Sequence, residues 1–448
     1  MHRSFRLAVA AALVVPVVAI AQKPFALTKA DAEYEEPFTS ISGLRELKDG
    51  RVLVADARDK TLQLIDMKTG SSTKVGREGQ GPGEYALPYR IVPLPGDTSA
   101  LYDIGNARYL TILPDGKTGR EFRLESNAAG RAEGGAGESG RGAAGRGAAG
   151  RGAAGRGAAG RGDADGGRRV VVGGGRGGMT MQLSPPRASD VRGNIYFEGG
   201  AISIGPNGPV SADSAPVMRF DRGTSRTDTV AWVRLAKANT QVSGSGGNVR
   251  VMMGGANPLT PRDDWAVLPD GRVAVFRSPE YRMDLYGPNL SMKAGSPAQY
   301  EKIRVDNAVK KETEEARKRT MGTGIRMMVT DDGAGPQRSV SMGAGGGPTV
   351  DLPPLADWPE FVPPFLSTAA TSRPNGELWV LRSRKPGDDV PVYDVFDASG
   401  RVIGKVALPA KSRLVGFGNG TVYLIRLDED DLQYLQRYRL PMDAKLNG

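Results

Sequence analysis

The sequence predicts an all-β protein, a six-bladed β-propeller of four-stranded antiparallel blades. Short apolar runs recur along the chain, and turn pairs such as Asp49-Gly50 separate them. The pattern repeats about every forty residues, which is the length of one propeller blade. Runs such as Val52–Ala55 and Val273–Phe276 are apolar on both faces, as expected for strands packed between neighbouring blades.

Six stretches follow this pattern with some drift. They are residues 38–76, 89–117, 188–233 with an interruption after 200, 264–291, 371–408 and 414–440. The propeller is therefore expected to span residues 38–441, with a short tail at 442–448. Residues 22–37 are expected to hold a strand that closes the ring, either Phe25–Thr28 or Tyr34–Phe38.

The first 21 residues have the features of a secretory signal peptide. Arg3 and Arg6 precede an apolar run from Leu7 to Ile20, and Ala19-Ile20-Ala21 fits a small-x-small cleavage site. Pro16 interrupts the run, which is also short for a membrane span. The chain is thus expected to be exported, to the periplasm or beyond the cell, and to act as a monomer.

Three inserts are expected to interrupt the ring. Residues 126–182 form a low-complexity Gly/Arg/Ala segment in which arginine recurs every five residues from Arg141 to Arg161. That period fits neither a helix nor a strand, so the segment is expected to be disordered. Residues 239–256 form a Gly/Ser/Met loop, and residues 306–347 combine a short, charged surface helix with a Gly-rich loop.

Composition excludes several kinds of enzyme. The chain has no cysteine, and its only histidine is His2, inside the expected signal peptide. A mature chain with neither residue has no Ser-His-Asp triad, no thiol nucleophile, and no histidine- or thiolate-bound metal. Ca²⁺ or Mg²⁺ held by oxygen ligands remains open, although no metal ligand and no catalytic residue is singled out.

The stretch Gly76–Tyr85, GREGQGPGEY, leads through Pro88 into the second unit. With Asp103, Asn106 and Arg108 further on, it resembles the NHL-repeat pattern, and the chain is similar to secreted six-bladed propellers of the TolB-like superfamily. That resemblance implies a propeller fold for residues 38–440, apart from the inserts. Some related propellers hydrolyse lactones with a divalent cation bound by carboxylates and Asn, so the alternative is an oxygen-ligated metal hydrolase.

Charged residues precede or begin most of the innermost strands, where propeller loops surround the channel mouth. The candidate ligand-binding residues are Arg90, Arg187, Arg262, Asp263, Asp264 and Arg413. Guanidinium groups converging there would favour a carboxylate, a phosphate or an acidic peptide. Ordinary solvated loop charges are the competing interpretation.

The net charge of +10 comes largely from the first insert, since residues 131–178 contain nine arginines and four acidic residues. An anionic envelope surface is the expected functional partner of this segment, and a flexible spacer is the alternative. Nucleic acid is disfavoured because no aromatic residues alternate with the arginines. The sequence thus favours a non-catalytic module that binds an acidic protein, a peptide or a small anion; a structural envelope component is a third alternative.

Overall fold

In the computed structural model, the described residues are 23–124, 185–200, 202–205, 208–236, 239–243, 250–254, 257–321, 325–331, 336–342 and 354–440. The expected signal peptide and the whole Gly/Arg insert lie outside these ranges. Within them, no helix is both long enough and apolar enough to cross a bilayer.

The strands form six sheets of a propeller ring. Two short strands come first, β1 (Phe25–Ala26) and β2 (Ala32–Glu33). Blade one contains β3 (Ile41–Glu46), β4 (Val52–Asp56), β5 (Thr61–Ile65) and β6 (Ser72–Lys74). Blade two contains β7 (Pro88–Pro93), β8 (Ser99–Asp103), β9 (Arg108–Ile112) and β10 (Thr118–Phe122), with a 3₁₀ turn at Pro95–Asp97.

Blades three and four carry additional hairpins. Blade three contains β11 (Ala188–Ser189), β12 (Ile195–Glu198), the hairpin β13 (Ile202–Gly205) and β14 (Gly208–Ser211), then β15 (Ser214–Asp221) and β16 (Arg226–Arg234). A second hairpin follows, β17 (Asn239–Ser243) and β18 (Arg250–Gly254). Blade four contains β19 (Asp264–Val267), β20 (Val273–Arg277), β21 (Arg282–Tyr286) and β22 (Met292–Lys293).

The helix α1 (Asn307–Met321) and the hairpin β23 (Ile325–Asp331) and β24 (Pro336–Met342) precede the last two blades. Blade five contains β25 (Ala370–Ser372), β26 (Leu378–Leu381), β27 (Val392–Phe396) and β28 (Val402–Ala407). Blade six contains β29 (Ser412–Phe417), β30 (Thr421–Leu427) and β31 (Gln433–Arg439). The strand order confirms the predicted fold of six four-stranded antiparallel blades.

The ring is closed by the beginning of the chain. Strand β2 pairs antiparallel with β31 and is the outermost strand of blade six. Ala32 lies opposite Arg437 in this pairing. Strand β1 instead pairs in parallel with β28 and adds a fifth strand to blade five. Neither of the two sequence-predicted closing segments supplies this strand. Phe25, in the first segment, lies on blade five, and Phe38, in the second, makes only an isolated bridge to Gln433.

Apolar side chains fill the spaces between blades. All five residues of β4 are buried, which explains why this strand has no polar-apolar alternation. The turn before it has Gly50 at φ 87°, a conformation that glycine adopts without steric cost. Large aromatic side chains such as Trp265, Trp379 and Phe276 are almost fully buried.

The structure differs from the sequence expectation in two inserts. Where glycine-rich loops are expected at 239–256 and after α1, the described backbone forms the hairpins β17–β18 and β23–β24. Both segments contain a short apolar run, Val251–Met253 and Met327–Val329, but the many glycines around these runs favour loops in the sequence. The helix is confirmed, and it packs on the ring through Val309, which contacts Leu259 and Val362.

Candidate functional site

One face of the ring carries the long connections. We call it the loop face: the chain passes from it into each innermost strand, and the second and third strands of each blade are joined on it. The four longest connections leave and re-enter the described strands on this face, after β10, β12, β16 and β22. The opposite face consists of short turns between consecutive strands. Binding residues concentrate on loops held by a rigid scaffold, so the loop face is the candidate functional surface.

The innermost strands approach one another closely around the channel. They are β3, β7, β11, β19, β25 and β29. A Cβ atom on Gly43 of β3 would lie 2.9 Å from the backbone nitrogen of Ile91 on β7. The Ser189 hydroxyl on β11 donates a hydrogen bond to the Pro93 carbonyl at the end of β7. Side chains that leave these strands near the loop face therefore share a narrow space.

Three arginines lie at or just before the loop-face ends of innermost strands, and we call them the arginine trio: Arg90 on β7, Arg187 just before β11, and Arg413 on β29. Burial lowers the pKa of Arg90 below its ordinary value, and the positive charge of Arg187 lowers it further. Burial also lowers the pKa of Arg413, and the charge of Arg90 adds to this effect. Solvent still reaches both Arg90 and Arg413.

The members of the trio differ in their partners. The Arg187 guanidinium lies over the Trp265 ring, with its Nη1 2.5 Å from Asp264 Oδ1 and its Nη2 donating to the Ala370 carbonyl at 3.2 Å. Arg187 is thus held across the innermost strand of blade four and reaches the backbone of blade five.

Arg90 and Arg413 are held much less firmly. Arg413 makes two long contacts of 3.4 Å, to the Ile41 carbonyl and to Gln433 Oε1. Arg90 lies 5.8 Å from the centre of the Tyr89 ring. Neither guanidinium pairs with a carboxylate of the residues described here. Two cations thus face the channel without an acidic partner in this part of the chain.

The other predicted site residues separate into two groups. Asp264 joins the trio through Arg187, and its Oδ2 accepts a hydrogen bond from the Ala370 amide at 2.7 Å. Asp263 points elsewhere: its Oδ2 accepts from the Arg234 amide at 2.9 Å and from Arg277 Nη1 at 2.6 Å. Arg262 contacts a different acid: its Nη2 lies 3.5 Å from Glu198, whose Oε2 also accepts a hydrogen bond from Trp265 Nε1.

Sequence reasoning missed the role of Arg277. Burial lowers its pKa, but the carboxylates of Asp284 and Asp263 raise it by more, so that it lies above its ordinary value. Arg277 ends β20, at the position where β4 and β8 end in Asp56 and Asp103. That replacement of an acid by a base is visible when the repeats are aligned, and it explains why Asp263 turns away from the channel.

The buried carboxylates at the ends of β4 and β8 serve the fold. Asp56 Oδ2 accepts the amides of Thr39 and Ser40, at 2.8 and 2.9 Å. Asp103 accepts the amides of Ala86 and Leu87 in the same way. Each therefore fixes the segment that leads into an innermost strand. Across the described residues, no three side chains among Asp, Glu, His and Cys gather as a group that could hold a metal ion.

No family model matches the chain, and no curated protein matches it either. Among solved structures, it is similar to a member of the DUF4221 family from Bacteroides vulgatus, with TM-score 0.42, 8% identity, and coverage of 93% of this chain and 96% of that one. It is also similar to a gluconolactonase from Xanthomonas campestris, with TM-score 0.38, 10% identity, and coverage of 94% and 95%. A virginiamycin B lyase from Staphylococcus aureus has TM-score 0.34, 8% identity, and coverage of 93% and 89%. Likeness at this level concerns the fold alone.

Proposed function

We propose that the protein is an exported propeller of the NHL and TolB-like kind that acts as a non-catalytic binding module. The arginine trio captures an anionic ligand at the loop-face mouth of the channel. The ligand is a carboxylate, a phosphate or an acidic peptide. The observation that carries the proposal is the pair Arg90 and Arg413, which face the channel with no carboxylate partner among the described residues.

The electrostatic cost of this arrangement supports a ligand. Bringing like charges together in a partly desolvated channel is unfavourable, and the lowered pKa values of Arg90 and Arg413 reflect that cost. Low-dielectric walls strengthen the interaction with an incoming anion. A guanidinium group offers forked donors that match carboxylate and phosphate oxygens. An anion would therefore relieve the repulsion and satisfy free donors at once.

The alternative, an oxygen-ligated metal hydrolase, would require a group of free carboxylates at the channel. Both acids among the predicted site residues are already engaged, Asp264 by Arg187 and Asp263 by Arg277. These contacts favour the binding module over the hydrolase. The Gly/Arg repeat, which lies outside the described residues, would add contact with an anionic envelope surface.

Single substitutions in the trio test the proposal. Arg90→Gln and Arg413→Gln should each weaken binding of inorganic phosphate, succinate or an acidic peptide by about tenfold or more, because each removes a charge-assisted contact. Isothermal titration calorimetry gives the affinities. Arg58→Gln is the matched control, since Arg58 is exposed on the same face and loses the same charge.

Two results would contradict the proposal. One is that Arg90→Gln and Arg413→Gln both bind the anions as tightly as Arg58→Gln does. The other is a thermal shift that Ca²⁺ produces and EDTA reverses, while none of the anions has an effect; that result would favour the hydrolase.

A further inference from the structure

We propose that the trio selects a ligand with two negative charges close together, and that Asp264 sets this preference. The inference rests on the proposed function, because it specifies the ligand of the same site. Phosphate monoesters and short dicarboxylates share this chemistry.

The charges in the channel support a dianion. Arg90, Arg187 and Arg413 supply three positive charges, and Asp264 neutralises one of them through its contact with Arg187. Two positive charges remain, on the two arginines that have no acidic partner in the described chain. A monoanion pairs with only one of these two guanidinium groups, whereas a compact dianion pairs with both.

Asp264 is fixed in place. Its side chain is 1% exposed, and its Oδ2 is bound by the Ala370 amide. The same contacts hold Arg187, whose Nη2 also reaches the carbonyl of Ala370. The carboxylate therefore cannot turn aside when a ligand arrives, and it competes with any anion for Arg187. Asp264 is a specificity-determining residue that need not touch the ligand.

Charge selection can be measured with paired probes of similar shape. At about pH 8, methyl phosphate carries close to two negative charges, and dimethyl phosphate carries one. Succinate and its monomethyl ester form a second pair. Wild-type protein should bind the dianion of at least one pair about ten times more tightly than its monoanion, by calorimetry. The two pairs also distinguish a phosphate-type ligand from a dicarboxylate.

Two neighbouring carboxylates provide a matched test of Asp264. Asp264→Asn keeps an oxygen for the Ala370 amide but removes the negative charge, so Arg187 becomes available to the ligand. Its affinity for methyl phosphate and for succinate should rise several-fold, and the advantage of dianion over monoanion should change. Asp263→Asn removes the same charge one residue away, on the Arg277 side, and should change both affinities less than twofold.

The outcomes separate this inference from the proposed function. Equal binding of dianions and monoanions, with Arg90→Gln and Arg413→Gln still harmful, would overturn charge selection and leave anion capture standing. An identical response of the two Asn variants would overturn the role of Asp264. Absence of anion binding to the wild-type protein would overturn both proposals. The paired-probe measurement needs no variant, so it decides charge selection even if a variant fails to fold.

Discussion

At the scale of residues, buried tyrosine hydroxyls connect neighbouring blades. Tyr423 of blade six donates to Glu46 of blade one, and Tyr281 of blade four donates to Asp394 of blade five. Tyr196 of blade three contacts the Gly271 carbonyl of blade four at 3.1 Å. Such contacts satisfy polar groups inside an otherwise apolar interface, where an unpaired group would be costly.

Asp394 makes one of these contacts depend on pH. Burial raises its pKa above the ordinary value, although Arg382 and Tyr281 act in the opposite direction. The folded protein therefore holds a proton on Asp394 at pH values where the unfolded chain has lost it, so this group's stabilising contribution falls as pH rises. Asp394→Asn has no such dependence. The melting temperature of this variant minus that of the wild type should therefore increase as the pH is raised from about 4 to about 7.

The control lies on the same blade. Burial raises the pKa of Asp397, but Ser399 and Arg401 lower it by more, so it lies below its ordinary value. The contribution of Asp397 is present at neutral pH and is lost on acidification. Asp397→Asn should therefore lose stability relative to wild type as the pH rises. Parallel pH trends in the two variants would refute the assignment for Asp394.

At the scale of elements, connections and innermost strands position the trio. The Gly76–Tyr85 connection is held by several hydrogen bonds. The Tyr85 hydroxyl donates to the Val75 carbonyl at 3.0 Å and accepts from the Leu62 amide at 3.1 Å. Arg108 Nη2 donates to the carbonyl oxygens of Gly81 and Glu84. These contacts fix the start of β7, and with it the position of Arg90.

Gly43 tests how closely the innermost strands must approach. Gly43→Ala places a methyl group 2.9 Å from the Ile91 backbone nitrogen, so β3 and β7 must separate. We expect a loss of about 1–3 kcal/mol in the free energy of unfolding and weaker phosphate binding, because Ile91 adjoins Arg90. Urea unfolding and calorimetry measure the two effects.

Gly119→Ala is the comparison for this substitution. The nearest atom to its added Cβ would be 3.5 Å away, on Thr111, which is ordinary van der Waals distance. Its stability should change by no more than about 0.5 kcal/mol. Equal losses in both variants would mean that the approach of β3 to β7 is not limiting.

At the scale of the whole molecule, the sequence predicts the ring better than the site. Blades are predictable because each one needs its own apolar strands and turn residues, and these repeat. The loop-face positions of Arg90, Arg187 and Arg413 follow from their places at the innermost strands. The divergence of Asp263 from Asp264 does not, because it depends on strand register and on Arg277 in the next strand. The hairpin inserts have only short apolar runs among many glycines, a pattern that does not distinguish a strand from a loop.

The Gly/Arg insert provides a prediction about the whole ring. Deleting residues 131–178 should change the melting temperature by less than about 5 °C, because Val170–Val172 are its only apolar side chains larger than alanine. The remaining residues still connect β10 to β11. Circular dichroism during heating measures the effect. Deleting residues 23–33 is the contrasting variant, and it should destabilise the protein strongly because it removes β1 and β2. A large loss in the first variant would show that the insert is packed.

Because β2 closes the ring, blade six can be completed only at the end of synthesis. The ribosome makes β2 before any blade, yet its partner β31 comes after every other strand. Until β31 emerges, Tyr34, Phe38 and Ile41 lack the apolar side chains of blade six that cover them in the finished ring. Contacts between such distant parts of a chain form slowly, and exposed apolar surface favours aggregation meanwhile. Nascent chains that stop short of blade six should therefore be the ones that chaperones and proteases engage.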